Sequence, residues 1–144
     1  MSASIGYFEK LLKWISPYRG SVYKKIGGQK VINQLVDDFY FVMKTDPNAL
    51  HCLATHEGRS IEESATKLKA FLSGWTGGPQ LYLEKYGHPR LRMRHFPFSI
   101  GEIEAKEWLY CMEVALKKSS IKNELQQDLL KAFQGLTDLI KNRS

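Results

Sequence analysis

Cysteine is scarce in this 144-residue chain, and its two thiols, Cys52 and Cys111, stand far apart with no scaffold spacing. That excludes a disulfide framework and a CxxC zinc site, and it fits a reducing cytoplasm. No secretory leader is recognisable, since the apolar stretch Phe8 to Ile15 is short and interrupted by Glu9, Lys10 and Lys13. HExxH is missing, so the usual zinc sets are not expected. No apolar run reaches the roughly 20 residues of a membrane helix. Neither GxxxxGK[ST] nor GxGxxG occurs, which removes the common phosphate cradles. Internal repeats, low-complexity segments and sustained strand-like alternation are also lacking. What remains is an all-α chain, long enough for one domain with one core.

Acidic residues are the scarcer charge: 15 Asp and Glu against 21 Lys and Arg leave a net charge of +6. Such an excess is compatible with nucleic acid or an anionic surface as partner. The basic residues are scattered, however, and their densest cluster, Arg90, Arg92 and Arg94, lies beside a histidine. A solvated surface with a local anion partner is the simpler expectation, and nucleic acid is not expected.

Helical periodicity organises most of the chain. Phe8, Leu11, Leu12 and Ile15 form a short amphipathic stripe that Pro17 ends, which predicts a separate leading helix. It would pack on the body or on a partner chain, or with Lys10 and Lys13 lie on a membrane surface. Tyr23 to Gly28 reads as a turn. Ile32, Leu35, Val36, Phe39 and Met43 then predict a helix ending near Asp46-Pro47, with Tyr40 on its apolar face. A buried phenol needs a hydrogen-bond partner, either a backbone carbonyl or something held in a pocket. Asn48 to Gly58 reads as a connection carrying His51 and His56. Ser60 to Glu63 is a capping box opening a helix with Ala65, Leu68, Phe71, Leu72 and Trp75 inward, stopped by Gly77-Gly78-Pro79. After a loop with a short Leu81-Tyr82 segment, Ser99 to Glu102 reads as a second capping box. The helix it opens carries Trp108, Cys111, Met112 and Ala115 on one stripe. A last helix over about 122–142, with Leu125, Leu129, Phe133, Leu136 and Ile140 inward, reads as scaffold alone.

Tyr86 to Phe98, YGHPRLRMRHFPF, departs from this pattern by packing two histidines, three arginines and two prolines into thirteen residues. Pro89 and Pro97 bracket any helix there, so His95 sits on a short, stiff element. A packed or capping histidine satisfies this pattern. One histidine also suffices as a metal ligand when the metal arrives with four other ligands, as haem iron does.

The stretch GGPQLYLEKYGHPRLRMRHFPFSI, Gly77 to Ile100, resembles the signature of the group II truncated haemoglobins. VDDFY ending at Tyr40 and a tryptophan thirteen residues after His95, Trp108, extend the resemblance, which covers about residues 23–139. It implies a truncated globin fold, a two-over-two helical sandwich around haem, with residues 1–22 as an N-terminal helical extension and 23–144 as the globin domain. It implies haem b, held non-covalently because no CxxCH occurs. His95 would be the proximal iron ligand, with Arg94 and Arg92 near the propionates and Phe98 against the cofactor. Tyr40, Trp108 and His56 would form the polar distal set, with His51 as the competitor for the last place. Ser64 and Leu68 would line the distal wall.

The activity this implies is reversible binding of dioxygen and other diatomic ligands. Redox chemistry on oxygen, nitric oxide or peroxide, of the nitric oxide dioxygenase or peroxidase kind, is preferred over oxygen transport, with an unidentified reductase as electron source. Two or three distal donors at about 1 kcal/mol each would slow ligand release by roughly 30- to 200-fold, which suits retention better than delivery. A gas or redox sensor, or an oxygen carrier acting through a partner protein, is the alternative. Carbon monoxide is a further ligand, and a homodimer is one arrangement the chain allows.

Overall fold

The structure, a computed structural model, describes residues 22–88 and 100–141. Within these residues the chain forms seven α-helices and one 3-10 turn, with no strand. The proposed leading helix and the segment carrying Arg92, Arg94, His95 and Phe98 lie outside the described residues.

The stretch read as a turn after residue 22 is a short helix, α1 (Val22–Ile26), because Val22 and Ile26 fall one turn apart and are both buried. Gly28 follows with φ 79, a left-handed conformation that glycine adopts without steric cost, and its N–H donates to Tyr23 O at 3.0 Å. The Tyr23 ring then lies against Gly78, where any Cβ would come within 2.3 Å of a ring carbon. Helix α2 (Gln29–Thr45) buries Ile32, Leu35, Val36, Phe39, Tyr40 and Met43, the predicted stripe. Asp46 ends it: its backbone N–H donates to Val42 O at 2.8 Å, while its carboxylate accepts from Asn48 N at 2.9 Å and from the Tyr110 hydroxyl at 2.6 Å.

The expected connection after Asp46 is partly ordered into a 3-10 turn (Pro47–Ala49) and a five-residue helix, α3 (Leu50–Ala54). Five residues do not hold a helix in water. Here a distant carboxylate holds it, since Glu107 Oε1 accepts from Cys52 N at 2.8 Å. Helix α4 (Ile61–Trp75) starts where expected, with Ser60 Oγ accepting from Glu63 N at 3.1 Å. Helix α5 (Leu81–Tyr86) is longer than the predicted segment.

The second capping box is displaced from the predicted position. Helix α6 (Glu102–Lys118) is capped at Gly101, whose N–H donates to Glu104 Oε1 at 2.8 Å, so the reciprocal carboxylate is Glu104 rather than Glu102. Glu104 can serve because its side chain is turned inward, whereas Glu102 is exposed. Helix α7 (Asn123–Ile140) closes the described chain.

Helix α2 packs on α4, α6 packs on α7, and the two pairs meet through α2 against α6, giving the two-over-two sandwich. Its centre holds Phe39, Trp75, Phe133, Leu72, Met112 and Leu116, all fully buried. Trp75 stacks between Phe71 at 6.2 Å and Phe133 at 5.1 Å, geometries worth about 0.5–1.5 kcal/mol each beyond burial.

Candidate functional site

Between the two helix pairs lies a cavity of about 400 Å³, in the size range of small-molecule and cofactor sites. Helix α4 contributes Ser64, Lys67, Leu68, Phe71 and Leu72 to its wall. Helix α6 contributes Glu104, Ala105 and Trp108. Tyr40 enters from α2, and Thr55 and His56 from the turn after α3. Every described residue expected at the distal site therefore lines one cavity: Tyr40, His56, Ser64, Leu68 and Trp108.

His51 does not join them. Its side chain is 62 % exposed and its Nδ1 lies 2.7 Å from Glu107 Oε2, on the outside of α3. Arg92, Arg94, His95 and Phe98 lie outside the described residues.

The polar groups are held by packing. Tyr40 meets Phe39 edge-on with centroids 4.9 Å apart, and meets His56 edge-on at 5.8 Å. Trp108 is wedged between Phe39 at 4.9 Å and Phe133 at 5.5 Å. Burial, and secondarily the nearby Cys52, pushes the Tyr40 hydroxyl well above the ordinary phenol range, so it stays a neutral donor at any working pH. Among the described residues neither the Tyr40 hydroxyl nor the Trp108 indole N–H has a protein hydrogen-bond partner. A backbone carbonyl, one of the two partners open to Tyr40 on sequence grounds, is not its partner here.

Both cysteines are unsuited to thiolate chemistry. Burial, and then proximity to Cys111, raises the Cys52 thiol above its ordinary range, while burial, and then Asp46, pushes Cys111 up to about 12. Among the described residues no cluster of three His, Cys, Asp or Glu could hold a metal ion.

Several wall residues carry no signal in the sequence. Arg59 and Lys67 place two cations at the cavity, although nothing in their local pattern sets them apart from surface charges. Helix α7, expected as scaffold alone, contributes Phe133, Leu136, Thr137 and Ile140 to the wall. Its inward stripe faces core along one part and cavity along another, which apolar periodicity does not distinguish.

Two crossed helix pairs enclosing a cavity with inward phenol and indole donors define a shortened globin. The model of the family described as "Bacterial-like globin" matches residues 21–142. The chain is 38% identical over 102 residues to the group 2 truncated hemoglobin YjbI of Bacillus subtilis, covering 71% of this chain and 74% of that one. The group II 2-on-2 hemoglobin of Agrobacterium tumefaciens superposes with a TM-score of 0.81 at 35% identity, covering 85% of this chain and 95% of that one. The cold-adapted truncated hemoglobin of the Antarctic bacterium Pseudoalteromonas haloplanktis gives 0.80 at 33% identity, covering 85% and 98%. The chain belongs to the bacterial-like globins, in their group II truncated branch. Haem-based ligand binding is the general property of that family. No helix among the described residues is long and apolar enough to cross a membrane.

Proposed function

We propose that this chain binds haem b and holds a diatomic ligand beside it, retaining the ligand for redox chemistry on oxygen, nitric oxide or peroxide rather than for bulk transport. The observation that carries this reading is the pair of inward donors without protein partners, the Tyr40 hydroxyl and the Trp108 indole N–H, lining one cavity. Donors turned into a cavity without a protein partner are accounted for by a polar partner that enters it.

The wall fits the cofactor. Leu68, Phe71, Leu72, Phe133, Leu136 and Ile140 offer an apolar surface for a flat macrocycle, and the cationic Arg59 and Lys67 suit its carboxylates. His95 is proposed as the proximal ligand, with Arg92, Arg94 and Phe98 beside it, on the resemblance of GHPRLRMRH. Haem, when bound, supplies an iron centre that takes one diatomic ligand and exchanges single electrons.

The protein does the rest. Tyr40 and Trp108 point fixed dipoles at the side of the cavity where a ligand gains partial negative charge, favouring polar ligands over neutral carbon monoxide. Ser64 leaves room beside them while Leu68 narrows the approach. Electrons come from a separate reductase, and the site lies in the cytoplasm. Absorption spectra of the ferric, ferrous and carbon monoxide forms test the proposal. One haem per chain with a histidine-ligated ferrous spectrum is expected. A colourless chain that takes up no added haem would refute it.

A further inference from the structure

Helix α5 brings Tyr82 into the cavity wall. Tyr86 follows one helical turn later on the same side of α5, and the two ring centroids lie 4.8 Å apart with their planes at 46°. Tyr82 is buried and Tyr86 is partly exposed, so the pair runs from the cavity toward solvent. Aromatic contacts also join it to the distal donor: Trp108 to Phe133 at 5.5 Å, Phe133 to Trp75 at 5.1 Å, Trp75 to Phe71 at 6.2 Å and Phe71 to Tyr82 at 6.3 Å. Each separation falls within the roughly 4.5–7 Å of touching rings. Phenol and indole rings give up single electrons far more readily than benzene rings, so Phe71 and Phe133 bridge the other four without themselves being oxidised.

We propose that Tyr82 and Tyr86 carry oxidising equivalents from the cavity to the surface, so that the protein oxidises phenols at Tyr86 without admitting them to the cavity. This deepens the peroxide branch of the reading above and rests on it, with a phenol in place of the reductase as electron source. Hydrogen peroxide takes two electrons and two protons to become two waters. Two passages of Tyr86 through its neutral radical supply them, each losing one electron from the ring and the hydroxyl proton. Each time, one electron and one proton from a phenol restore the tyrosine and leave a phenoxyl radical in solution.

The proton decides where the radical rests. Burial holds the proton on the Tyr40 hydroxyl, which disfavours a neutral radical there, whereas water reaches Tyr86. Lys67 Nζ and Lys85 Nζ stand 5.5 and 5.4 Å from the centre of the Tyr86 ring. Two cations oppose a charged ring but not a neutral radical, and they favour departure of the proton.

The ferric haem-loaded protein is mixed with one equivalent of hydrogen peroxide and frozen within seconds for electron paramagnetic resonance. A parallel sample receives a nitroso spin trap, and its peptides are mapped by mass spectrometry. A tyrosyl radical is expected, with the trap bound at Tyr86. Tyr86→Phe should lose that adduct while its absorption spectrum still responds to peroxide, and Tyr82→Phe should lose it although Tyr86 is present. A phenol coupled to dextran, too large for a cavity of about 400 Å³, should be oxidised by the parent and not by Tyr86→Phe. A radical trapped at Tyr40 or Tyr110 in place of Tyr86, or oxidation of the coupled phenol by Tyr86→Phe at the parent's rate, overturns the proposal. A haem spectrum that responds to peroxide with no radical at Tyr86 refutes this inference alone. A chain that takes up no haem refutes the proposed function and this inference with it.

Discussion

Tyr40→Phe separates ligand stabilisation from structural support more cleanly than other changes at this site. The side chain is 7 % exposed and its ring packs against Phe39 and His56, so phenylalanine keeps nearly all the apolar contact. Because the hydroxyl has no protein partner among the described residues, its removal leaves no protein group unpaired. Stability should therefore change by no more than about 0.5 kcal/mol. Ligand release behaves differently. One net hydrogen bond of about 1 kcal/mol corresponds to roughly fivefold, and a charge-assisted one of about 3 kcal/mol to more than a hundredfold.

Dioxygen dissociation should accelerate within those limits, while carbon monoxide dissociation, which involves far less ligand charge, changes little. Stopped-flow measurement of both ligands for Tyr40→Phe, Trp108→Phe and the double variant reads the effect. Trp108 is close enough to the same cavity space to compensate for the lost phenol, so the double variant should lose more than the sum of the single changes. If all three variants release dioxygen at the parent's rate with thermal stability unchanged, the two inward donors do not act on the ligand. The retention reading would then be wrong.

His95→Gly should abolish stoichiometric haem binding or leave it dependent on added imidazole, and a normal histidine-ligated spectrum without imidazole would refute the proximal assignment. Removal of residues 1–20 should leave haem binding intact, since the family match begins at residue 21; haem loss with helical content retained would place that segment at the site. The Tyr110 hydroxyl, and then the Asn48 backbone N–H, hold the Asp46 carboxyl below the ordinary carboxylate range. A depressed folded-state value contributes stability that is present above the unfolded value near 3.9 and lost as pH falls through the folded one. The melting temperature of Tyr110→Phe should accordingly fall less steeply than the parent's below about pH 4, and parallel curves would refute the link. Gly78→Ala drives a methyl to within 2.3 Å of the Tyr23 ring and should cost about 1–3 kcal/mol by thermal denaturation, with no loss refuting the close approach.

Long, strongly periodic elements were legible because burial and local pattern agree in them. The stripe from Ile32 to Met43 placed Tyr40 inward, and Ser60 opened α4 as its spacing predicts. Periodicity made Trp108 readable only as inward, and its place at a cavity came from the resemblance, since core and cavity faces share one periodicity. Helix α3 was not legible at all. Leu50 to Ala54 have no independent reason to be helical, and the carboxylate that holds them belongs to Glu107, 55 residues beyond Cys52. The second capping box was misplaced because Ser99 to Glu102 and Gly101 to Glu104 present the same spacing, and only the inward turn of Glu104 decides between them. Arg59 and Lys67 belong to the site through geometry that no window of sequence contains.

Arg59 and Lys67 apart, these misses share an origin in α6, which sets the distal side more completely than its own sequence suggests. Trp108 supplies a donor from it directly. Glu107, the residue before, reaches the amide of Cys52 with one oxygen and His51 with the other, placing an anion in the first turn of α3 where a helix N-terminus favours it. That contact, a hydrogen bond to a charged group worth about 1.5–3 kcal/mol where water is largely excluded, offsets the marginal stability of five helical residues. The far end of α3 in turn presents the Cys52 carbonyl and Thr55 to His56. Tyr110, two residues on from Trp108, ties α6 to the end of α2 through Asp46, while the Phe39–Trp108 contact fixes α2 beside the cavity with Tyr40 in place. The two donors thus stand on long packed helices whose geometry is fixed before any ligand arrives, as electrostatic stabilisation requires. His56 stands in the turn after a short helix that one carboxylate holds, which makes it the polar group of the site most open to adjustment without disturbing the core.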